Sequence, residues 1–209
     1  IRLEQADDNL VRRNRIGSKD LPEGRRGDAV RVWYSTGNRF EENEISGVRD
    51  GFGVQAVGNR FAANTVRDSR YGILLLQANA NQIVANRFHD DAVGIMAIAS
   101  DDLVVTGNSL RAGRDVAGEA MILKDSSRAR VEGNDFFASA VGLYLDASPV
   151  DADNPNLFRA NRFARLGTAV VIHSDLTGNR FEENHFAGDH AEIVVHGGGT
   201  ALRNLWRGN

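Results

Sequence analysis

Asn38-Arg39-Phe40-Glu41-Glu42-Asn43-Glu44-Ile45 returns almost letter for letter as Asn179-Arg180-Phe181-Glu182-Glu183-Asn184-His185-Phe186. The shared phrase is Asn, any residue, apolar, two residues, Asn, any residue, apolar. Its second Asn falls at Asn14, Asn43, Asn64, Asn86, Asn108, Asn134, Asn161, Asn184 and Asn209, at spacings of 21 to 29 residues. A recurring period of about 22 residues with occasional insertions is the mark of a solenoid, in which each repeat stacks on the next.

Working outward from the phrase, each repeat has a second half. A small residue is followed by alternating apolar positions, as in Gly72-Ile73-Leu74-Leu75, Gly94-Ile95-Met96-Ala97 and Gly142-Leu143-Tyr144-Leu145. Period-two alternation signals a β-strand. Stacking like on like gives three apolar columns. The first is Val11, Phe40, Phe61, Ile83, Val105, Val131, Phe158, Phe181 and Trp206. The second is Ile16, Ile45, Val66, Phe88, Leu110, Phe136, Phe163 and Phe186. The third is Val30, Ile73, Ile95, Met121, Leu143, Val170 and Ile193. Three columns around a narrow core describe an all-β fold, a parallel β-helix of about nine coils. The crossover preference makes it right-handed. Each phrase Asn is expected at a tight bend, where it tolerates the left-handed backbone and donates to the next coil.

The repeat runs from 1 to 209, so the chain reads as one elongated domain. Both ends fall inside repeats, which leads us to expect a longer native chain or a covering partner. A net charge of −3 supplies no basic footprint for nucleic acid. No run of 18 apolar residues is present. There is no cysteine, so thiol catalysis and thiolate metal sites are excluded. Three insertions interrupt the period, at 18–26, 112–118 and 148–155. Loops on a rigid solenoid are common seats of function, and equally common sites of drift.

Several stretches together resemble the NosD family: Arg26-Gly27-Asp28-Ala29-Val30-Arg31-Val32-Trp33-Tyr34-Ser35, Val48-Arg49-Asp50-Gly51, Arg70-Tyr71-Gly72, Leu123-Lys124-Asp125, Val131-Glu132-Gly133-Asn134, the run from Val141 through Pro149 to Phe158, and His196-Gly197-Gly198-Gly199. The resemblance spans nearly the whole chain. It implies a periplasmic β-helix protein, peripheral to the membrane at most. It also implies work beside an ABC transporter subunit during maturation of the copper centre of a metalloenzyme client, nitrous oxide reductase, with copper as the metal. It further implies an outward stripe of His, Met and aromatic residues. Here that stripe is largely replaced, by Leu74, Leu76, Gln77, Ile98-Ala99 and Val54-Gln55-Ala56.

Copper(I) favours thioether and imidazole donors. Met121 falls in the inward register and reads as core. Met96 falls in the outward register and is a candidate ligand. His173 and His196 occupy one outward column in adjacent coils, where two imidazoles could share a metal; a pair of solvated histidines is the plainer reading. Lys124 and Asp146 precede them in that column, giving a polar stripe that suits a sugar-binding face or an ordinary wet one. Trp33 and Tyr34 form the best aromatic anchor for a partner, unless they stack under a neighbouring loop. The carboxylate pairs Asp7-Asp8, Asp90-Asp91 and Asp101-Asp102 lie at turns, where Asp has structural work. Consecutive strand residues face opposite sides, so these are poor acid/base pairs. The expectation is a non-catalytic scaffold. The alternative is a carbohydrate-binding or carbohydrate-active β-helix using the Lys124, Asp146, His173, His196 face.

Overall fold

A computed structural model describes the chain apart from residues 19–20, 114–117, 174–177, 189 and 198–202, and apart from the side chains of 23 and 191. Parts of the 18–26 and 112–118 insertions and of the 196–199 stretch therefore lie outside the described residues. What is described is a parallel β-helix with three sheets. Sheet A stacks Arg2–Glu4, Val30–Trp33, Asp50–Gln55, Tyr71–Leu76, Val93–Ile98, Glu119–Lys124, Val141–Asp146, Thr168–His173 and Ala191–Val195. Sheet B holds the strands that begin each Asn phrase, from Leu10–Arg12 to Leu205–Arg207, and sheet C those that follow its second Asn, from Arg15–Gly17 to His185–Ala187. Sheets A and B have nine strands and sheet C eight. The solenoid thus closes eight three-strand turns and adds a two-strand ninth, slightly short of nine full coils. Among the described residues the only helical turn is a 3-10 turn at Glu23–Arg25, within the first insertion. None is long and apolar enough to cross a membrane.

The three apolar columns are the core. Phe40 pairs in register with Phe61, and Phe61 with Ile83. The rings of Phe40 and Phe61 stack at 4.9 Å, those of Phe136 and Phe163 at 4.7 Å, and those of Phe158 and Phe181 at 4.8 Å. These separations equal the spacing of neighbouring strands, so identical residues in successive coils stack face on face without adjustment. Burial of each such ring contributes roughly 1.5–3 kcal/mol. Met121 is fully buried in the third column. Phe52, set between two glycines, joins that column between Val30 and Ile73.

The asparagines form ladders along two corners. Asn14, Asn43, Asn64, Asn86, Asn108, Asn134, Asn161, Asn184 and Asn209 run unbroken. Asn64 is typical. Its backbone N–H donates to Asn86 Oδ1 at 2.9 Å, its Nδ2 donates to the same oxygen at 2.9 Å, and Nδ2 also donates back to Phe40 O at 2.9 Å. A second ladder runs through Asn9, Asn38, Asn59 and Asn81, is interrupted by Leu103 and Ala129, and resumes at Asn156, Asn179 and Asn204. One expectation needs correcting. The left-handed residue at each bend is the one before the Asn: Arg13, Glu42, Ala63, Ala85, Gly107, Gly133, Ala160, Glu183 and Gly208 all have φ between 52° and 65°. The Asn itself supplies hydrogen bonds that hold its strained neighbour, satisfying polar groups that would otherwise be buried bare.

Candidate functional site

The outer face of sheet A carries the residues singled out from the sequence. Side chains alternate across a strand, so each strand presents two positions outward. The register stacks them into two columns. One runs Leu74, Met96, Ile122, Tyr144 and Val171. The other runs Leu76, Ile98, Lys124, Asp146 and His173. The middle of this face is apolar and the C-terminal part is polar.

In the polar part, Lys124 Nζ forms an ion pair with Asp146 Oδ2. The hydrogen bond to Asp146 raises the Lys124 ammonium above its ordinary pKa. The other Asp146 oxygen lies 3.8 Å from His173 Nδ1. The Tyr144 ring meets the His173 ring edge-on at 6.2 Å. Burial, and then the charge of Asp146, pushes the Tyr144 phenol upward. Past the strand end, His196 donates its backbone N–H to Ile172 O at 2.9 Å, which continues the register and sets it in the coil beside His173. Gly197 closes over the imidazole: a Cβ there would stand 2.6 Å from His173 Nε2. Lys124, Asp146, His173 and His196 are therefore brought together along one column, as the sequence spacing predicts.

Met96 is not brought to them. It lies in the other outward column, half-exposed, and three coils from His173, roughly 14 Å at the spacing of neighbouring strands. Among the described residues, no three His, Cys, Asp or Glu side chains lie close enough to hold a metal ion. The donors on this face are thus two imidazoles, one with an edge covered by Gly197, a carboxylate engaged by Lys124, and a distant thioether. They do not fit a three-donor copper site.

Trp33 and Tyr34 point to different places. Trp33 faces outward between two guanidinium groups, with Arg2 at 5.3 Å and Arg31 at 5.5 Å from its ring. Tyr34 turns the corner with φ of 47° and is 69% exposed. It borders a groove of about 420 Å³ lined also by Thr36, Gln55, Val57 and Gln77.

Two charged features escaped the sequence reading. At the corner entering sheet A, Asp28 accepts from Arg31 and Arg49, and Asp50 accepts twice from Arg70, at 3.0 and 2.7 Å. Burial alone would raise the Asp28 carboxyl, but the two arginines hold it below its usual value. Arg70 in turn lies 4.6 Å over the Tyr71 ring. These residues sit in the stretches that carry the family resemblance, so that part of the pattern is a structural ion ladder. The second feature is Asp91. Among the carboxylate pairs, Asp8, Asp90 and Asp102 take positive φ, as turn residues do. Asp91 instead points inward, fully buried, and desolvation pushes its pKa up to about 7. Its carboxylate is engaged by Ser69, whose backbone N–H and hydroxyl both donate to it.

The family model described as periplasmic copper-binding protein (NosD) matches residues 7–208. No curated protein sequence matches the chain. Among solved structures, the A-module of the Azotobacter vinelandii mannuronan C-5 epimerase AlgE4 shares the fold, with a TM-score of 0.55 and 17% identity over 92% of this chain. The chain spans 57% of the length of that module. QnrB1, a plasmid-mediated fluoroquinolone resistance protein, matches over 88% of this chain and 93% of its own, at 10% identity and a TM-score of 0.30, too low to bear on the fold. With the family model covering the chain almost end to end, on a parallel β-helix of the expected kind, the chain belongs to the NosD family.

Proposed function

We propose that the chain is a non-catalytic periplasmic scaffold that docks a transporter subunit and the client metalloenzyme while the client's copper centre is assembled. The observation that carries this reading is the apolar middle of sheet A. Leu74, Leu76, Met96 and Ile98 stand outward and half-exposed or exposed on a flat, rigid face. An outward sheet face that takes no partner of its own is ordinarily polar. The donor set on this face supports docking over carriage. In this reading the copper ligands belong to the partners, and this chain holds those partners in place.

The reading is tested by Leu76→Asp combined with Ile98→Asp. Both side chains point away from the core, so the variant should fold, with a slightly lower melting midpoint because the two aspartates stand in register. Co-purification with the transporter subunit and the copper content of the client are expected to fall together. Unchanged co-purification and client copper would overturn the reading.

A second reading has its own observation. Tyr144, Asp146, His173 and Lys124 converge on the polar part of the face, and Glu119, half-buried on the same sheet, has its carboxyl raised by burial. Such a set could serve a carbohydrate-active site. Turnover of a polysaccharide that is abolished by Tyr144→Phe would favour this reading over the scaffold.

A further inference from the structure

Sheet C distributes its charges unlike the rest of the surface. On sheet B the arginines are mostly balanced: Arg12 pairs with Glu42, Arg39 with Glu41, Arg130 and Arg159 with Glu132, and Arg180 with Glu182. Near the two ends of sheet C the same holds, with Arg15 at 3.1 Å from Glu44 and Arg162 at 2.7 Å from Asp135. Between them the pattern changes. Arg67, His89 and Arg111 stand in direct register in three consecutive coils, and Arg87 lies beside them opposite Thr65. The three arginines are exposed. Among the described residues Arg67 and Arg87 have no ion-pair partner, and Arg111 reaches only Asp90, at 3.9 Å. Asp90 also lies 3.2 Å from His89 Nδ1, and the nearby Asp68 is engaged by Arg26 at 3.1 Å.

Like charges stacked on adjacent strands repel one another. Arg67 and Arg87 stand on adjacent strands two register positions apart, close enough to repel, and an anion laid along the stripe would relieve that repulsion. Its cationic positions recur once per coil, about every 4.8 Å. At its N-terminal end it opens into a groove of about 340 Å³ lined by Arg67, Thr65, Ser46, Gly17 and the Arg15–Glu44 ion pair, with Ile16 and Ile45 of the core column beneath. Arg67, unlike Arg15, has no ion-pair partner there among the described residues, and it flanks the hydroxyls of Ser46 and Thr65.

The neighbouring outward positions sort the anions. None of Arg15, Gly17, Glu44, Ser46, Thr65, Arg67, Arg87, His89, Ser109 and Arg111 is Phe, Tyr or Trp, so no ring of that kind waits to stack on a nucleobase. None has a large apolar side chain to enter a lipid surface. Guanidinium forks match carboxylates bidentately. A uronic-acid chain carries one carboxylate per ring, a spacing on the scale of one coil, with hydroxyls between. We propose that this stripe binds a linear uronic-acid polysaccharide laid along the helix axis, with carboxylates on Arg67, Arg87 and Arg111 and hydroxyls at Ser46 and Thr65. The site lies on a different sheet from the docking face and does not depend on it.

The test is affinity electrophoresis and calorimetry of the full chain with polygalacturonate. Neutral dextran, single-stranded DNA and phosphatidylglycerol vesicles serve as competitors of other chemistry. Arg67→Ser combined with Arg87→Ser is compared with Arg60→Ser, an arginine on sheet B hydrogen-bonded to Gln82. Circular dichroism confirms that each variant is folded. The expected result is binding of polygalacturonate and not dextran, weakened by salt, lost at least tenfold in the double variant and kept in Arg60→Ser. Absence of polygalacturonate binding, retention of it in the double variant, or stronger binding of DNA or vesicles through the same arginines would each overturn the proposal.

Discussion

Asp91 Oδ1 accepts both the backbone N–H and the hydroxyl of Ser69, at 3.0 and 2.7 Å, while Asp91 Oδ2, also buried, has no hydrogen-bond partner among the described residues. A carboxylate half-satisfied in an apolar corner favours its neutral form, which is why desolvation lifts this group from 3.8 to about 7. The folded state therefore holds this proton more tightly than the unfolded chain does. Its contribution to stability is fully present below about pH 4 and is lost as pH rises through about 7, a difference on the order of 4 kcal/mol for a shift of this size. Urea denaturation across this window should show the loss in the native chain and a much flatter profile in Asp91→Asn. Identical pH profiles for the two would refute the assignment.

The unbroken Asn ladder makes a second prediction. Asn86 Oδ1 accepts from both the N–H and the Nδ2 of Asn64, and its own Nδ2 donates to Phe61 O and Asn108 Oδ1. Asn86→Ala strands several of these groups inside the protein. Each unsatisfied buried group costs about 1–3 kcal/mol, so the variant should lose at least 2 kcal/mol in chemical denaturation. A loss below roughly 0.5 kcal/mol would mean that water replaces the ladder at no cost.

The bends predict a stabilising change. Ala63 sits at φ 53°, in a region that costs a residue with a Cβ roughly 1–2 kcal/mol. Ala63→Gly removes that cost and gives back part of it in chain entropy. The expected net gain is about 0.5–1 kcal/mol. A destabilised Ala63→Gly would show that the ladder imposes no strain on its neighbour.

Packing predicts the opposite sign elsewhere. A Cβ on Gly94 would meet Ala120 O at 2.6 Å and Leu110 Cδ2 at 3.1 Å. The first neighbour is backbone and cannot move aside without disturbing the adjacent coil. Gly94→Ala should cost about 1–3 kcal/mol, seen as a lower midpoint in thermal unfolding.

How much of this was legible in the sequence follows from how solenoids encode themselves. The inward columns were readable because every coil repeats the same apolar positions and a strand has period two. Lys124, Asp146 and His173 were placed in one column for the same reason, and the register bears that out. Phe52 was missed because two glycines mask its alternation. The serine ladder through Ser100, Ser126 and Ser148 was missed because one small residue per coil carries no pattern of its own. The role of Asn at the bends was only half readable: its composition suggested a turn, but backbone angles alone reveal that its neighbour takes the left-handed conformation. Asp91 was unreadable because nothing in Asp90-Asp91 tells which of the two faces inward. The site was legible as positions and not as distances, which is why Met96 reads as a candidate ligand beside the His173 and His196 pair although the fold sets it three coils from His173.

The most direct test of the scaffold reading is an anaerobic Cu(I) titration of the chain against a competing chelator, repeated with His173→Ala and Met96→Ala. The account predicts that the chelator keeps the copper and that all three proteins behave alike, because the described donors do not converge. Stoichiometric Cu(I) capture by the native chain, lost in either variant, would contradict it and make this face a copper carrier.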